Sequence, residues 1–307
     1  MLVDNHKKVV ISTLLALGLV GCGGGSGGNN DNSAGGPGNV TKSLNLDFVA
    51  EANSQAIDCG STVTGLGVAG TDVTFEDARF FIHDVHLIKD TGDEVPVTLD
   101  EDAWQNGNVA LVDFQSKADK CAGADKNVHD TVSGEYVDDG SVYTGIKFTL
   151  GLPSDLNHNN PAAAPSPLNI TSLQWNWQAG YKFVRVDVAP VGGITRSSDP
   201  LYAATAWNFH LGSTGCTGDP LLGEVVTCDR PNRIEVVLDG FTVDTSEVVF
   251  NYGALIENAT LSVDEGGAPG CMSGVTDPEC ASVFAKLGLD IATGQPLPAG
   301  QQIFSVR

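Results

Sequence analysis

Residues 142–150 have the sequence VYTGIKFTL, in which apolar or β-branched residues occupy every second position from Val142 to Leu150. Alternation with a period of two is typical of a β-strand that buries one face. The same alternation occurs in residues 44–48 and 184–188. These stretches therefore predict strands that each turn one face toward a core.

The rest of the chain indicates the same fold class. Turn-rich segments such as Asn157 to Pro167 separate the strand candidates, and no internal repeat or clean linker follows residue 42. We therefore expect an all-β fold, one antiparallel β-sandwich with long loops. Further strand candidates are Arg79 to Ile88, Asn208 to Leu211, Ile234 to Leu238 and Val248 to Tyr252, and the one short helix candidate is Ala281 to Leu289.

Charge and composition exclude some classes of function. The 307 residues include 38 acidic and 16 basic side chains, which gives a net charge of -22. A nucleic-acid-binding protein must neutralise phosphates with Lys and Arg, so this class is excluded. The chain also has 37 Gly, 14 Pro and only 2 Met, a composition that fits a turn-rich extracytoplasmic protein.

The N-terminus has the pattern of an export signal. Lys7 and Lys8 precede an apolar stretch, residues 9–20, that is too short to span a membrane. We therefore expect residues 1–21 to be a signal peptide that is removed from the mature protein.

Residues 19–22, LVGC, resemble the lipobox of bacterial lipoproteins, in which the chain is cut before a Cys that then carries a lipid. We expect Cys22 to be that residue, followed by a Gly-rich flexible tether over residues 22–42 and a β domain over residues 43–307. Because Gly23 rather than Asp follows Cys22, the expected location is the periplasm, with the lipid in the outer membrane.

Six cysteines remain after Cys22, an even number that fits an oxidising compartment and a fold stapled by three disulfides. Sequence alone allows many connectivities. Short separations favour the local bridges Cys216–Cys228 and Cys271–Cys280, which leaves Cys59–Cys121 as the long one. No pair has the C-x-x-C spacing, so neither a zinc ribbon nor a thioredoxin-like redox pair is expected.

Five histidines follow the expected cleavage site. His83 and His86 lie three apart in one strand candidate, so they face opposite sides unless a bulge intervenes, and we do not expect them to share a metal. His129 lies in a polar loop and is interpreted as solvated. His158 lies in a loop just after a strand end, where functional residues are common, and His210 lies in an apolar strand candidate. A hydrogen-bonded structural role is the alternative for each of them.

Trp175 and Trp177 flank Asn176. In an extended strand both indoles lie on one face, about 6.6–7 Å apart and in line with Leu173. Taken alone, two such aromatics are typical of a core. A hydrolase is disfavoured, because there is no phosphate-binding loop or H-E-x-x-H helix, and the only G-x-S-x-G, residues 24–28, lies in the expected tether.

A series of motifs is more specific than any of these single features. The motifs are DARFFI (77–82), WQ (104–105), VALVDF (109–114), YTGIKFTLGLP (143–153), LNH (156–158), PLN (167–169), WNWQAGYKF (175–183), HLGSTGC (210–216) and CMS (271–273). In this order they resemble the MbnP family, the W-x-W, four-Cys proteins of the so-called metallo-mystery pair. The resemblance spans roughly residues 44 to 304, and this chain departs from it in having six cysteines after Cys22.

The resemblance implies a periplasmic copper-binding protein whose partner belongs to the MauG and dihaem cytochrome c peroxidase superfamily. In the family this partner oxidises the first Trp of W-x-W to kynurenine, and copper binding depends on the change. Here that residue is Trp175. An indole N–H is only a donor, whereas opening the pyrrole ring leaves an aryl amine that can bind a metal.

Inside the motifs of the resemblance, His158 and His210 are the expected imidazole ligands of copper, and Met272 is a further soft candidate. Trp177 is expected to pack beside Trp175 and to shield the site. The expected function is therefore copper binding in copper homeostasis, without an enzymatic activity. The alternatives are a copper redox enzyme, which five scattered histidines and no recognisable substrate cleft disfavour, and a structural surface lipoprotein.

Overall fold

The computed structural model describes residues 39–115, 121, 127–176 and 179–307, and these belong to one compact unit. Cys22, Trp177, the expected signal peptide and most of the expected tether lie outside the described residues. Across the described ranges, no helix combines the length and the apolar character needed to cross a membrane.

Strands dominate the described chain, with 48% of residues in strands and 7% in helices, so the expected all-β fold is confirmed. The strands are β1 (Val40–Ala52), β2 (Gln55–Ala56), β3 (Thr62–Leu66), β4 (Thr71–Lys89), β5 (Glu94–Leu99), β6 (Gln105–Asn106), β7 (Val109–Asp113), β8 (Thr131–Asp138), β9 (Tyr143–Leu150), β10 (Gln174–Asn176), β11 (Gly180–Tyr181), β12 (Val184–Pro190), β13 (Ile194–Arg196), β14 (Asp199–Ala204), β15 (Trp207–Leu211), β16 (Thr214–Thr217), β17 (Thr227–Arg230), β18 (Ile234–Asp239), β19 (Glu247–Asn251), β20 (Gly270–Cys271) and β21 (Phe304–Val306). The helices are α1 (Tyr252–Leu255) and α2 (Cys280–Leu287), and 3-10 helices cover Thr171–Leu173 and Pro220–Leu222.

Two curled sheets form a sandwich-like fold. The long strand β4 is antiparallel to β3, β5, β7, β9 and β12, and β12 is followed in the sheet by β15. In the other sheet β1 lies between β8 and β19. Because β5 pairs with both β4 and β8, the two sheets are continuous at this edge.

The core lies where the apolar faces of these strands meet. Phe48, Phe80, Phe148, Phe250 and Phe304 come from five strands and are all buried. Ring centroids of neighbouring pairs among them are 5.4–5.8 Å apart. Burial of each Phe side chain stabilises the fold by about 1.5–3 kcal/mol, so this cluster contributes strongly to packing of the two sheets against each other.

Among the described strands two pairs are parallel, β1 with β19 and β15 with β20, and this distinguishes the fold from a purely antiparallel sandwich. In the second pair Asn208 lies opposite Gly270, and Phe209 opposite Cys271. Gly270 has φ 86°, and a Cβ there would overlap the backbone of Asn208. Glycine therefore allows β20 to approach β15 closely, and this contact positions the residue that follows, Met272.

Element boundaries differ by a few residues from those expected. Strand β1 begins at Val40, inside the segment expected to be tether. Helix α2 covers Cys280–Leu287, and it ends there because Gly288 adopts a left-handed conformation with φ 68°.

The structure pairs Cys59 with Cys121, Cys216 with Cys228 and Cys271 with Cys280, with Cα–Cα distances of 5.3, 3.9 and 4.8 Å. These are the three pairs that the cysteine spacing predicts. The last of them ties β20 to the first turn of α2.

Candidate metal centre

Trp175 lies in a short hairpin. Its strand β10 pairs with β11, and the Asn176 side chain closes the turn by accepting a hydrogen bond from Ala179 N at 2.7 Å. Leu173 belongs to a 3-10 turn, so the expectation that it continues one extended strand with Trp175 is wrong. Whether Trp177 shares a face with Trp175 stays a prediction, because Trp177 lies outside the described residues.

The half-buried Trp175 indole rests on the backbone of Gly212, two residues after His210. A Cβ on Gly212 would lie 2.6 Å from Trp175 Cζ3 and 2.6 Å from Tyr181 O. The absence of a side chain at position 212 is therefore what allows the indole to lie against the end of β15.

A cavity of about 390 Å³ lies beside this indole, and it brings two of the expected site residues together. Trp175, Met272 and Cys216 line it, together with Asn176, Ala179 and residues 213–215. Met272 is half-buried, so its thioether is open to the cavity while the chain on either side of it, Cys271 and Ser273, is buried.

His210 is adjacent to Met272 in the sheet. Phe209 lies opposite Cys271 in this parallel pair. The next residues, His210 and Met272, therefore occupy neighbouring register positions on two adjacent segments. The Ser273 hydroxyl donates to His210 O at 2.9 Å and lies 3.3 Å from the amide N of Gly212, which donates to it. These bonds fix the segment that carries Met272 against the strand that carries His210.

The imidazole of His210 is oriented by a carboxylate. Its Nε2 lies 2.7 Å from Asp187 Oδ1, and the side chain is 6% exposed. An ionised carboxylate only accepts, so Nε2 carries the proton and Nδ1 carries the lone pair. Within the described residues this buried Nδ1 has no hydrogen-bond partner. A histidine whose other nitrogen donates to a carboxylate is the usual arrangement of a metal ligand.

The ionisation states of this pair suit metal binding. Burial lowers the pKa of His210, and the hydrogen bond to Asp187 offsets part of that effect, which leaves a neutral imidazole at neutral pH. Burial alone would raise the pKa of Asp187, but the bond to His210 and the charge of Arg185 hold that pKa below its ordinary value. Arg185 Nη2 lies 2.6 Å from Asp187 Oδ2, so the carboxylate stays charged beneath the imidazole.

A buried ion-pair network supports this arrangement. Arg185 also lies 2.9 Å from Asp77 Oδ2, and Arg79 contacts the same carboxylate at 2.5 Å. The alternation in residues 184–188 predicts that Asp187 faces outward, whereas its side chain is buried and 5% exposed. The patterns D-A-R at 77–79 and R-V-D at 185–187 are the signal that could have identified the network, because each places an acid and an arginine two positions apart on one face of its strand. In the register of β4 and β12 like charges lie directly opposite each other, so the ion pair between the strands, Arg185 with Asp77, is diagonal.

His158 lies on the far side of Asn176 from the Trp175 cavity. Its Nε2 is 3.4 Å from Cys228 Sγ and 3.1 Å from Asn157 Nδ2. It lines a second cavity of about 490 Å³ with Gln174 and Asn176, but not the cavity that Trp175 and Met272 share. Cys216 lines the Trp175 cavity and Cys228 contacts His158. The Cys216–Cys228 disulfide therefore connects the wall of that cavity to His158.

Three other histidines lie outside this region. The register of β4 shifts between His83 and His86, where Asp84 adopts φ 57°, so a bulge does intervene between them. His83 Nδ1 lies 2.9 Å from Gly151 O, and neither His83 nor His86 lines the Trp175 cavity. The interpretation of His129 as a solvated loop residue is wrong, because its ring stacks on Trp104 at 5.0 Å.

The donors in this region fit copper. His210 offers a buried neutral imidazole whose Nδ1 has no hydrogen-bond partner among the described residues, and Met272, at the neighbouring register position, offers a thioether. Imidazole suits copper in general, and thioether sulfur suits Cu(I). An aryl amine derived from Trp175 would add a nitrogen at the wall of the cavity that Met272 lines, whereas His210 is buried and is not among the residues that line this cavity.

Two comparisons with known proteins give a match. The sequence model of the MbnP family matches residues 41–273, a range that includes His158, Trp175, His210 and Met272. The structure of MbnP from Methylosinus trichosporium is similar to this one with a TM-score of 0.79 and 33% sequence identity, over 87% of this chain and 98% of that chain. No curated protein sequence gives a significant match.

Proposed function

Because the chain belongs to the MbnP family, we propose that it is an extracytoplasmic copper-binding protein that serves copper homeostasis, and not an enzyme. The family relates to methanobactin, a copper-binding system, which supports a copper-related role. The single observation that carries the proposal is the buried Nδ1 of His210, which has no hydrogen-bond partner among the described residues while Asp187 holds Nε2.

In the proposed site His210 Nδ1 is one ligand, and the aryl amine of an oxidised Trp175 is another. His158 is the proposed second imidazole, and Met272 is an additional soft donor. Trp175 and His210 lie on strands, which hold donors firmly, whereas His158 lies in a loop that can close over the metal.

The proposed partner is a dihaem protein of the MauG and cytochrome c peroxidase type. With hydrogen peroxide as oxidant, two equivalents cleave the C2–C3 bond of the Trp175 indole, insert two oxygen atoms and leave two waters. Hydrolysis of the resulting formyl amide releases formate and yields kynurenine with a free aryl amine. The half-buried position of Trp175 beside an open cavity is compatible with this reaction.

The mass of the Trp175 peptide, together with metal content, tests this function. In protein purified from its native host we expect a peptide that has gained one oxygen and lost one carbon at Trp175, and one equivalent of copper per chain. Expression without the dihaem partner is the control, and it should give unmodified Trp175 and no tightly bound copper. Copper bound at full occupancy to unmodified protein would contradict the proposal.

The proposed location is the periplasmic face of the outer membrane, with the lipid on Cys22. We expect a Cys22→Ser variant to leave the membrane fraction, because the mature protein would then have no lipid to attach it. Detergent fractionation measures this. Gly23→Asp is a matched control that should stay membrane-bound but shift toward the inner membrane. Unchanged membrane association of Cys22→Ser would refute the anchor.

A further inference from the structure

A second group of metal-ligating atoms surrounds the Cys216–Cys228 disulfide. Nε2 of His158 and the two sulfur atoms all lie within 4.8 Å of one another, and all three residues are half-buried. In the described part of the chain no other three His, Cys, Asp or Glu side chains meet this condition. The disulfide form cannot use these sulfurs as thiolates, so the group matters only if the bond opens.

The hairpin keeps the two cysteines together without the bond. Cys216 lies directly opposite Cys228 in the antiparallel pair β16–β17, with Thr214 opposite Arg230 and Thr217 opposite Thr227 on either side. The Thr214 hydroxyl accepts a hydrogen bond from Arg230 Nε at 2.8 Å. Because backbone pairing and this bond hold both strands, the thiols would remain neighbours after reduction.

The imidazole of His158 lies beside the sulfurs and is held there by Asn157. Asn157 is fully buried, and its Oδ1 accepts a hydrogen bond from Tyr181 N at 3.1 Å. The amide group of Asn157 therefore directs Nδ2, a donor, at His158 Nε2, which lies 3.1 Å away. A nitrogen that accepts this bond carries a lone pair rather than a proton. That same Nε2 is 3.4 Å from Cys228 Sγ, so a cation bound between them would replace the hydrogen bond from Asn157 Nδ2 on the one lone pair of Nε2.

The distance of 3.4 Å between His158 Nε2 and Cys228 Sγ suits tetrahedral coordination of one ion by both atoms. Zinc bonds of about 2.3 Å to sulfur and about 2.0 Å to nitrogen place neighbouring ligands roughly 3.5 Å apart for N and S and roughly 3.8 Å apart for two S atoms. The distance of 3.4 Å between His158 Nε2 and Cys228 Sγ is therefore close to the separation expected for two ligands of one ion, and the two sulfurs have to move apart.

The group is also reachable from solvent. His158 and Cys228 line a cavity of about 310 Å³ with Ser154, Thr227 and Pro231, whereas Cys271 and Cys280 are fully buried. A small dithiol and a hydrated cation can therefore approach the Cys216–Cys228 bond, while the Cys271–Cys280 bond is protected.

We propose that reduction of Cys216–Cys228 creates a three-ligand site, made of the imidazole of His158 and the thiolates of Cys216 and Cys228, for a thiolate-preferring cation of the Zn²⁺ and Cu⁺ class. A dithiol supplies two electrons and two protons by thiol–disulfide exchange, so it becomes a disulfide as the two protein thiols form. Binding of the cation then releases the two thiol protons to solvent. This site needs no change at Trp175, so it does not rest on the function proposed above.

His158 belongs to both proposed metal sites, so reduction of the disulfide would affect copper binding. If His158 serves as the second imidazole of the Trp175 site in the oxidised protein, reduction recruits the same nitrogen to a different cation site. The redox state of one disulfide would then select which set of ligands His158 joins.

The test uses the full mature chain with Trp175→Phe, which cannot form an aryl amine, and with Cys59→Ser and Cys121→Ser, which remove the other half-buried bridge. Under anaerobic conditions the oxidised and dithiol-reduced forms are titrated with Co²⁺, and Zn²⁺ is then added in competition. We expect thiolate-to-cobalt charge-transfer absorption in the reduced form only, at one equivalent, displaced by Zn²⁺.

His158→Ala in the same background should bind Zn²⁺ at least ~100-fold more weakly, since loss of even an outer-shell partner costs ~10–100-fold. His83→Ala is the matched control and should bind normally. Circular dichroism of each reduced form checks that the fold is retained. Absence of the cobalt–thiolate absorption in a folded reduced protein, or equal Zn²⁺ affinity of His158→Ala, would overturn the proposal. Neither result would bear on copper binding by protein with an intact Trp175.

Discussion

Replacing Trp175 with Phe should leave a folded protein that no longer takes up copper in the cell. Phe keeps an aromatic ring over Gly212, so the cavity wall and the hairpin β10–β11 persist. Phe offers no nitrogen, however, and ring oxidation cannot give it an aryl amine. The expected change is from one equivalent of copper to almost none in protein co-expressed with its dihaem partner.

Copper content of the purified variant, alongside circular dichroism, measures this result. Trp104→Phe is the matched control, because Trp104 stacks on His129 and does not line the Trp175 cavity. It should retain its copper. A full equivalent of tightly bound copper in Trp175→Phe would mean that the kynurenine-dependent site is wrong and that an all-histidine site must replace it.

His210→Ala should abolish copper binding even in protein whose Trp175 has been oxidised. Removal of the imidazole takes away the buried Nδ1 and leaves Asp187 paired with Arg185, so the carboxylate keeps a charged partner. We expect the fold to survive at a cost of about 1–3 kcal/mol for the lost hydrogen bond and the polar group left buried.

The loss of copper affinity should exceed the ~10–100-fold that removal of an outer-shell partner costs. Equilibrium dialysis against copper measures it, and the mass of the Trp175 peptide confirms that the oxidation took place. His83→Ala is the control that should bind normally, because His83 is hydrogen-bonded to Gly151 O outside the site. Normal copper affinity of an oxidised His210→Ala protein would remove His210 from the ligand set.

Local periodicity was sufficient to predict several of the central strands of this protein, but not the shorter ones such as β3, β16 and β21. The alternation in residues 142–150 became β9, and the apolar stretch around His210 became β15. Cysteine spacing predicted the same three pairs that the structure contains. These features depend on neighbours within a few residues or on short chain separations, which is why they can be read from sequence.

The motifs indicate candidate residues for the site through the family resemblance, but they do not predict how these residues are arranged. Met272 lies beside His210 because β20 pairs with β15 in parallel, a contact between segments about sixty residues apart. Asp187 reaches His210 Nε2 across another strand pair. His158 contacts Cys228 because buried Asn157 anchors its loop to Tyr181.

The alternating pattern determined that this chain builds β-strands with a buried face, and its motifs determined its family. The register between strands distant in sequence determined which nitrogen of His210 is left without a partner and which sulfur His158 touches. The physical reason is that a strand's periodicity is the same in every register, whereas long-range packing selects one register by burying one set of side chains together.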